Sequence, residues 1–250
     1  MTRLRAWARL ARVLLHIVVG YCTIAWKFPR LSEEQKQMRI QAWSLELIGC
    51  LAIKVVVNGQ PPAAGPVLLV ANHISWLDIA VMHAARHCRF VSKADVKRWP
   101  VVGSLASGAG TLFIERESRR DAKRMVSDMA ECLQQGEILA IFPEGTTGDG
   151  AQVLPFHANL LQAAIEAQAP VQPVALHFAD EATGALSFAP CYIGDDTLVQ
   201  SLWRTLKTSG VVAVVTFGVP QVHEGRDRRV WAADLRQAVV DLRGEVTLHV

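Results

Sequence analysis

At 250 residues the chain is long enough to bury a sizeable core in one α/β domain with an appendage. Apolar residues make up 51%, the formal net charge is +3 and the mean hydropathy is +0.21. Only one segment approaches membrane-spanning length, and outside the N-terminus no stripe of Lys and Arg interleaves with aromatics, so a polytopic membrane protein and a nucleic-acid binder are both excluded. Cys22, Cys50, Cys88, Cys132 and Cys191 are scattered and odd in number, which points to reduced thiols in a cytosol-facing protein.

The N-terminus carries Arg3, Arg5, Arg9 and Arg12, followed by an apolar run from Val13 to Trp26. At 100° per residue Arg5, Arg9 and Arg12 fall on one side of a helix, with Trp7, Leu10, Leu14 and Val18 opposite. The pattern predicts a shallow or single-pass membrane anchor with its arginines toward the cytoplasm; the alternatives are a helix packed on the domain and a cleaved signal peptide. Pro29 ends the run, and Ser32-Glu33-Glu34 starts a second helix that ends near Gly49 or Cys50. Residues 1–50 are therefore read as a helical anchor and 51–250 as the main domain.

Strands are predicted at Ile53–Val57, Val67–Val70, Phe90–Lys93, Thr111–Ile114, Ile138–Phe142, Val171–Phe178 and Val211–Phe217. Helices are predicted from Asp78 to about His87, over Asp121–Gln135 with Met125, Met129 and Leu133 on one face, over Asn159–Ala167, and over Val230–Leu242. Gly103 to Gly110 reads as a Gly- and Ser-rich segment. The alternation gives an α/β fold, a mixed, mostly parallel central sheet flanked by helices, with the N-terminal segment as anchor.

The apolar run Val67–Val70 ends in Asn72-His73, and Asp78 follows five residues after the histidine. Histidine can take a proton from a hydroxyl near neutrality, and a carboxylate can hold its tautomer. On a continuous helix the two would stand roughly 140° apart, so they meet only if His73 lies in a turn and Asp78 in the first helical turn, with Ser75 as cap. Two other strand ends carry unusual polar residues, Arg116 and Glu144-Gly145-Thr146, and ligands of open α/β sheets bind beyond strand C-termini. The planar fork of Arg116 suits a phosphate, Glu144 can accept from substrate hydroxyls, and Gly145 lets backbone approach closely. His83 and His87 stand four apart beside Cys88, but no further ligand completes a zinc set, and a solvated helix face is expected. Ser75 lacks a nucleophile elbow, and Gly103–Gly110 lacks the Lys of a phosphate-binding loop.

The blocks Asn72-His73-Ile74-Ser75-Trp76-Leu77-Asp78, Gly110-Thr111-Leu112-Phe113-Ile114-Glu115-Arg116, Phe142-Pro143-Glu144-Gly145-Thr146 and Val171-Gln172-Pro173-Val174 resemble the four motifs of the glycerolipid acyltransferases. The match is to the bacterial 1-acyl-glycerol-3-phosphate acyltransferases and their lyso-ornithine-lipid relatives, and it covers roughly 53–219. The resemblance implies that His73 is the general base and Asp78 its partner. It implies substrate binding by Asn72, Lys93, Arg116, Glu144, Gly145 and Thr146, with Pro173 in the acyl-side wall. It also implies direct acyl transfer from acyl-CoA or acyl carrier protein to the free hydroxyl of a lysophospholipid, with no cofactor or metal. The expected acceptor is 1-acyl-glycerol-3-phosphate, and the alternative is lyso-ornithine lipid. The expected location is the cytoplasmic side of the inner membrane, and a lipid-binding scaffold is the non-enzyme alternative. Three stretches depart from the family pattern: Glu115 stands where Asp is commoner, Thr147-Gly148 where many members have Arg-Ser, and Phe156-His157-Ala158-Asn159 where Phe-Lys-x-Gly is often found.

Overall fold

The computed structural model describes residues 2–115 and 118–244. Helices α1 (Thr2–Trp26) and α2 (Glu33–Cys50) precede the sheet strands β1 (Ile53–Asn58) and β2 (Val67–Ala71). Then come α3 (Asp78–Ala85), β3 (Arg89–Lys93), α4 (Ala94–Lys97), α5 (Val102–Gly108), β4 (Leu112–Ile114), α6 (Arg119–Gln134) and β5 (Ile138–Ile141). The chain continues through α7 (Gln162–Glu166), β6 (Val171–Asp180), α8 (Leu198–Lys207), β7 (Val211–Phe217) and α9 (Arg228–Gly244). Among the described residues the strands form one sheet in the order β1-β7-β6-β2-β5-β3-β4.

Strands β6, β2, β5, β3 and β4 run parallel, whereas β7 is antiparallel to β6 and carries β1 parallel to itself. The sheet is thus mixed and mostly parallel, as predicted. All five residues of β2 are buried, because helices cover both faces. The period of two sorts them: Val67, Leu69 and Ala71 join a core with Leu77, Val81 and Leu206, while Leu68 and Val70 join one with Met125, Met129, Leu133 and Trp231. The parallel arrangement brings the C-terminal ends of β2, β3, β4 and β5 to one edge.

Local capping chemistry sets several boundaries. Ser32 caps α2, Ser118 caps α6 and Thr197 caps α8, each in a reciprocal capping box worth about 1 kcal/mol. Helix α5 forms largely within the Gly- and Ser-rich segment. A Cβ on Gly103 would stand 2.1 Å from the Lys97 carbonyl oxygen, and one on Gly108 would stand 2.6 Å from Ile24 of α1. These glycines serve close packing, which outweighs their poor helix propensity.

Helix α1 lies against the body rather than standing off it. Ala6 and Val13 join the same core as Leu47, Ile48 and the sheet. Trp7 meets Trp203 at 4.9 Å between ring centroids, His16 stacks on Trp43, and Arg9 donates to the carbonyls of Leu206 (2.9 Å) and Thr208. The opposite face leaves Leu4, Leu14, Leu15, Val18, Val19 and Trp26 exposed. Arg3, Arg5 and Arg12 are exposed as well.

Candidate active site

Strand β2 stops at Ala71, and the following six residues make an irregular turn before α3. The turn brings His73 Nδ1 to 2.7 Å from Asp78 Oδ2. The same oxygen accepts from the backbone N–H groups of Ile74 (2.6 Å) and Ser75 (2.9 Å), so a single carboxylate oxygen shapes the turn and orients the imidazole. Asp78 is fully buried, and His73 keeps one fifth of its side chain exposed. With Nδ1–H donated to Asp78, the lone pair is left on Nε2.

The cap differs from expectation. Helix α3 begins at Asp78 with Leu77 at its N-cap, so Asp78 opens the helix instead of lying three residues into it. Ser75 is buried one turn upstream, where its hydroxyl accepts from Leu77 N–H (3.2 Å) and donates to the Pro190 carbonyl. This burial agrees with a structural role rather than a nucleophilic one.

Glu144 lies three residues beyond β5 and is 5% exposed. Its Oε1 accepts from His73 N–H (2.7 Å) and its Oε2 from Leu154 N–H (2.9 Å). Burial raises its pKa, while those two hydrogen bonds and the nearby His73 oppose the rise. This carboxylate holds the turn that carries His73 and the loop after β5 together. Gly145 has φ +72°, and a Cβ there would approach the His157 ring to 3.2 Å. Gly148 N–H donates to His73 C=O (2.8 Å), so both backbone groups of His73 are tied to this loop. Phe142 stacks on His73 with centroids 4.0 Å apart and planes at 6°, and Phe90 lies behind it. The role of Phe142 as a platform was missed, although its position before Pro143-Glu144 is a usable signal.

Asn72 is a correction. Its amide nitrogen donates to Leu176 C=O (3.0 Å) and its amide oxygen accepts from Leu176 N–H (2.7 Å). With both ends bound to β6 and the residue buried, it locks two strands together below the site and is closed off from a substrate. Pro173 lies in β6 opposite Val70, two positions below Asn72, with its carbonyl accepting from Gly218 N–H (2.9 Å). Lys93 ends β3 with its side chain exposed, and Thr146 is exposed beside Gly145. Arg116 lies outside the described residues.

The His83–His87 pair is also corrected. Both rings and Cys88 are buried, with the two rings stacked 5.4 Å apart. Burial, reinforced by the neighbouring His87, pushes His83 down to about 3; burial and Arg86 push His87 down to about 4. A solvated helix face is excluded. Among the described residues no three His, Cys, Asp or Glu side chains gather as a metal site.

A carboxylate-oriented histidine, on a turn tied to the glycine-bearing loop after β5, thus stands at the C-terminal edge of the parallel strands. The model of the acyltransferase family matches residues 52–177, and the chain belongs to that family. It is 38% identical over 245 residues to the lyso-ornithine lipid O-acyltransferase of Pseudomonas aeruginosa, covering 96% of this chain and 93% of the relative. It is 42% identical over 173 residues to the 1-acyl-sn-glycerol-3-phosphate acyltransferase of Neisseria gonorrhoeae, covering 68% and 67%. The crystal structure of the 1-acyl-sn-glycerophosphate acyltransferase PlsC of Thermotoga maritima has the same fold, with a TM-score of 0.64 at 19% identity over 96% of this chain and 99% of that one.

Proposed function

We propose that the enzyme transfers a fatty acyl group from an acyl thioester, carried on coenzyme A or acyl carrier protein, to the free hydroxyl of a lysolipid. His73 Nε2 takes the hydroxyl proton, the alkoxide attacks the thioester carbonyl, and the tetrahedral adduct collapses to an ester. The departing thiolate recovers the proton from His73, so no covalent enzyme intermediate is needed. The observation that carries this reading is the 2.7 Å contact between His73 Nδ1 and a fully buried Asp78, which leaves the basic nitrogen on the exposed edge of the ring.

The end-to-end likeness to the Pseudomonas enzyme favours lyso-ornithine lipid as acceptor. So does Thr147-Gly148, which supplies no cation after the Glu144-Gly145-Thr146 block. The second reading is 1-acyl-glycerol-3-phosphate, supported by the 42% identity to the Neisseria enzyme. In that reading Lys93 and Arg116 bind its phosphate, Gly145 and Thr146 line the acceptor channel, and Pro173 backs the acyl side. Residues 1–50 would hold the 51–250 domain on the cytoplasmic face of the inner membrane, with the exposed stripe of α1 in the lipid. Purified enzyme given both lysolipids with each acyl donor tests the acceptor. A diacyl product from lyso-ornithine lipid alone supports the first reading, and product from lysophosphatidate alone establishes the second.

A further inference from the structure

Two arginines of α9, seven residues apart, project from one stripe of the helix onto the loop that follows Glu144. Arg236 donates through Nε to the carbonyls of Val153 (3.0 Å) and Leu154 (3.1 Å), and through Nη2 again to Val153 (2.5 Å). Arg243 donates through Nη2 to the Gly150 carbonyl. Between them Val239 buries its side chain in a small core with Val153 and Ala175. The spacing places all three on one face, since seven residues bring a helix back to within about 20°.

The gripped loop is the one that holds the histidine. Leu154, whose carbonyl Arg236 binds, donates its N–H to Glu144 Oε2, and Glu144 Oε1 receives His73 N–H. Gly150, whose carbonyl Arg243 binds, is two residues from Gly148, whose N–H donates to His73 C=O. Gly150 also packs on the His73 turn: with φ +78°, a Cβ there would stand 3.3 Å from Ile74. Arg243 is partly desolvated, which lowers its pKa, while Glu144 and Asp149 oppose that shift. A partly enclosed guanidinium bound to a backbone carbonyl holds position more firmly than an exposed ion pair, which contributes little.

We infer that Arg236 and Arg243 are positioning residues for the acyl transfer: a two-point clasp by which α9 sets the backbone of His73 through the Gly148–Leu154 loop. Neither touches substrate. Both act by restricting where the His73 ring can stand, and misplacement of a base by about 1 Å can cost up to about a hundredfold in rate. The inference rests on His73 being the base.

The experiment compares full-length Arg236→Ala, Arg243→Ala and their lysine counterparts with wild type, with Arg228→Ala as a control on the same helix. It records kcat, KM for each substrate and the melting temperature. The expected result is a fall of about ten- to a hundredfold in kcat for each alanine variant. KM for the acyl donor should stay within about twofold. The lysine variants should recover part of the loss, and millimolar methylguanidinium should restore turnover to Arg243→Ala. Wild-type kcat in folded alanine variants, or an equal loss in Arg228→Ala, would overturn the clasp. Should an alanine variant not fold, its lysine variant decides: a reduced kcat at unchanged melting temperature supports the clasp, and a wild-type kcat refutes it. His73→Ala is assayed alongside. If it retains activity, the base assignment itself fails. If it is inactive while the arginine variants match wild type, only the clasp fails.

Discussion

At the scale of single residues the site depends on Asp78 Oδ2, which receives three donors: His73 Nδ1–H and two backbone N–H groups. Asp78→Asn would put an amide where an acceptor is needed, which disturbs both the tautomer of His73 and the turn. It should lower kcat by about 10²–10⁴-fold, similar to His73→Ala, with the acyl-donor KM nearly unchanged. Both proteins should stay folded by circular dichroism, and wild-type turnover in either would end the mechanism. Glu144 offers a sharper distinction. If it only clamps backbone, Glu144→Gln keeps one acceptor and should retain more activity than Glu144→Ala, without a change in acceptor KM. A selective rise in acceptor KM in Glu144→Gln would restore the substrate-binding role expected from sequence. These residues were legible because each sits just past a predicted strand. The role of Asn72 was not, because its partner Leu176 lies 104 residues away and only the β2–β6 pairing brings the two together.

At the scale of elements, the seven strands among the described residues were legible, most of them as apolar or β-branched runs closed by turn residues. Helices α4, α5 and α8 were not. Helix α5 hides behind glycines needed for contact with Lys97 and Ile24, whereas α8 carries both a Thr197–Gln200 capping box and an amphipathic pattern that went unread. The end of α3 shows where patterning misleads, because His83 and His87 read as a polar face yet lie in the core. Their folded-state pKa values, about 3 and about 4, lie below the usual 6.5. The unfolded chain therefore binds more protons than the folded one between those limits, and stability falls as pH drops from 6.5 toward 4. Each group contributes a slope of at most about 1.4 kcal/mol per pH unit within its window. A series of melting temperatures from pH 7 to pH 4 should decline in the wild type and decline less steeply in His83→Phe. Parallel curves would mean that other groups govern acid sensitivity.

For the whole molecule, the open question is how a body built around one sheet meets a substrate that resides in a bilayer. Helix α1 has the length and hydropathy to span, with an 18-residue window averaging 1.5. Yet its Ala6 and Val13 are buried in the core shared with the sheet, and Gly20 approaches Trp43 so closely that a Cβ would stand 2.5 Å from its ring nitrogen. Spanning would require tearing that face away, whereas lying in the interface leaves it intact. In the proposed interfacial placement the opposite stripe of Leu4, Leu14, Leu15, Val18 and Val19 would face acyl chains, and exposed Arg3, Arg5 and Arg12 would face lipid phosphates. Removing the helix outright would expose core as well as abolish binding, so point changes on the stripe are the cleaner test. Burying one leucine is worth about 1.5–3 kcal/mol. Leu14→Glu with Val18→Glu should therefore weaken binding to anionic vesicles by well over tenfold in a flotation assay, with the melting temperature unchanged. Arg5→Gln with Arg12→Gln should weaken it less, and mainly at low salt, because their attraction is screened. Vesicle binding that survives the glutamate pair would place the membrane contact on another surface of the molecule.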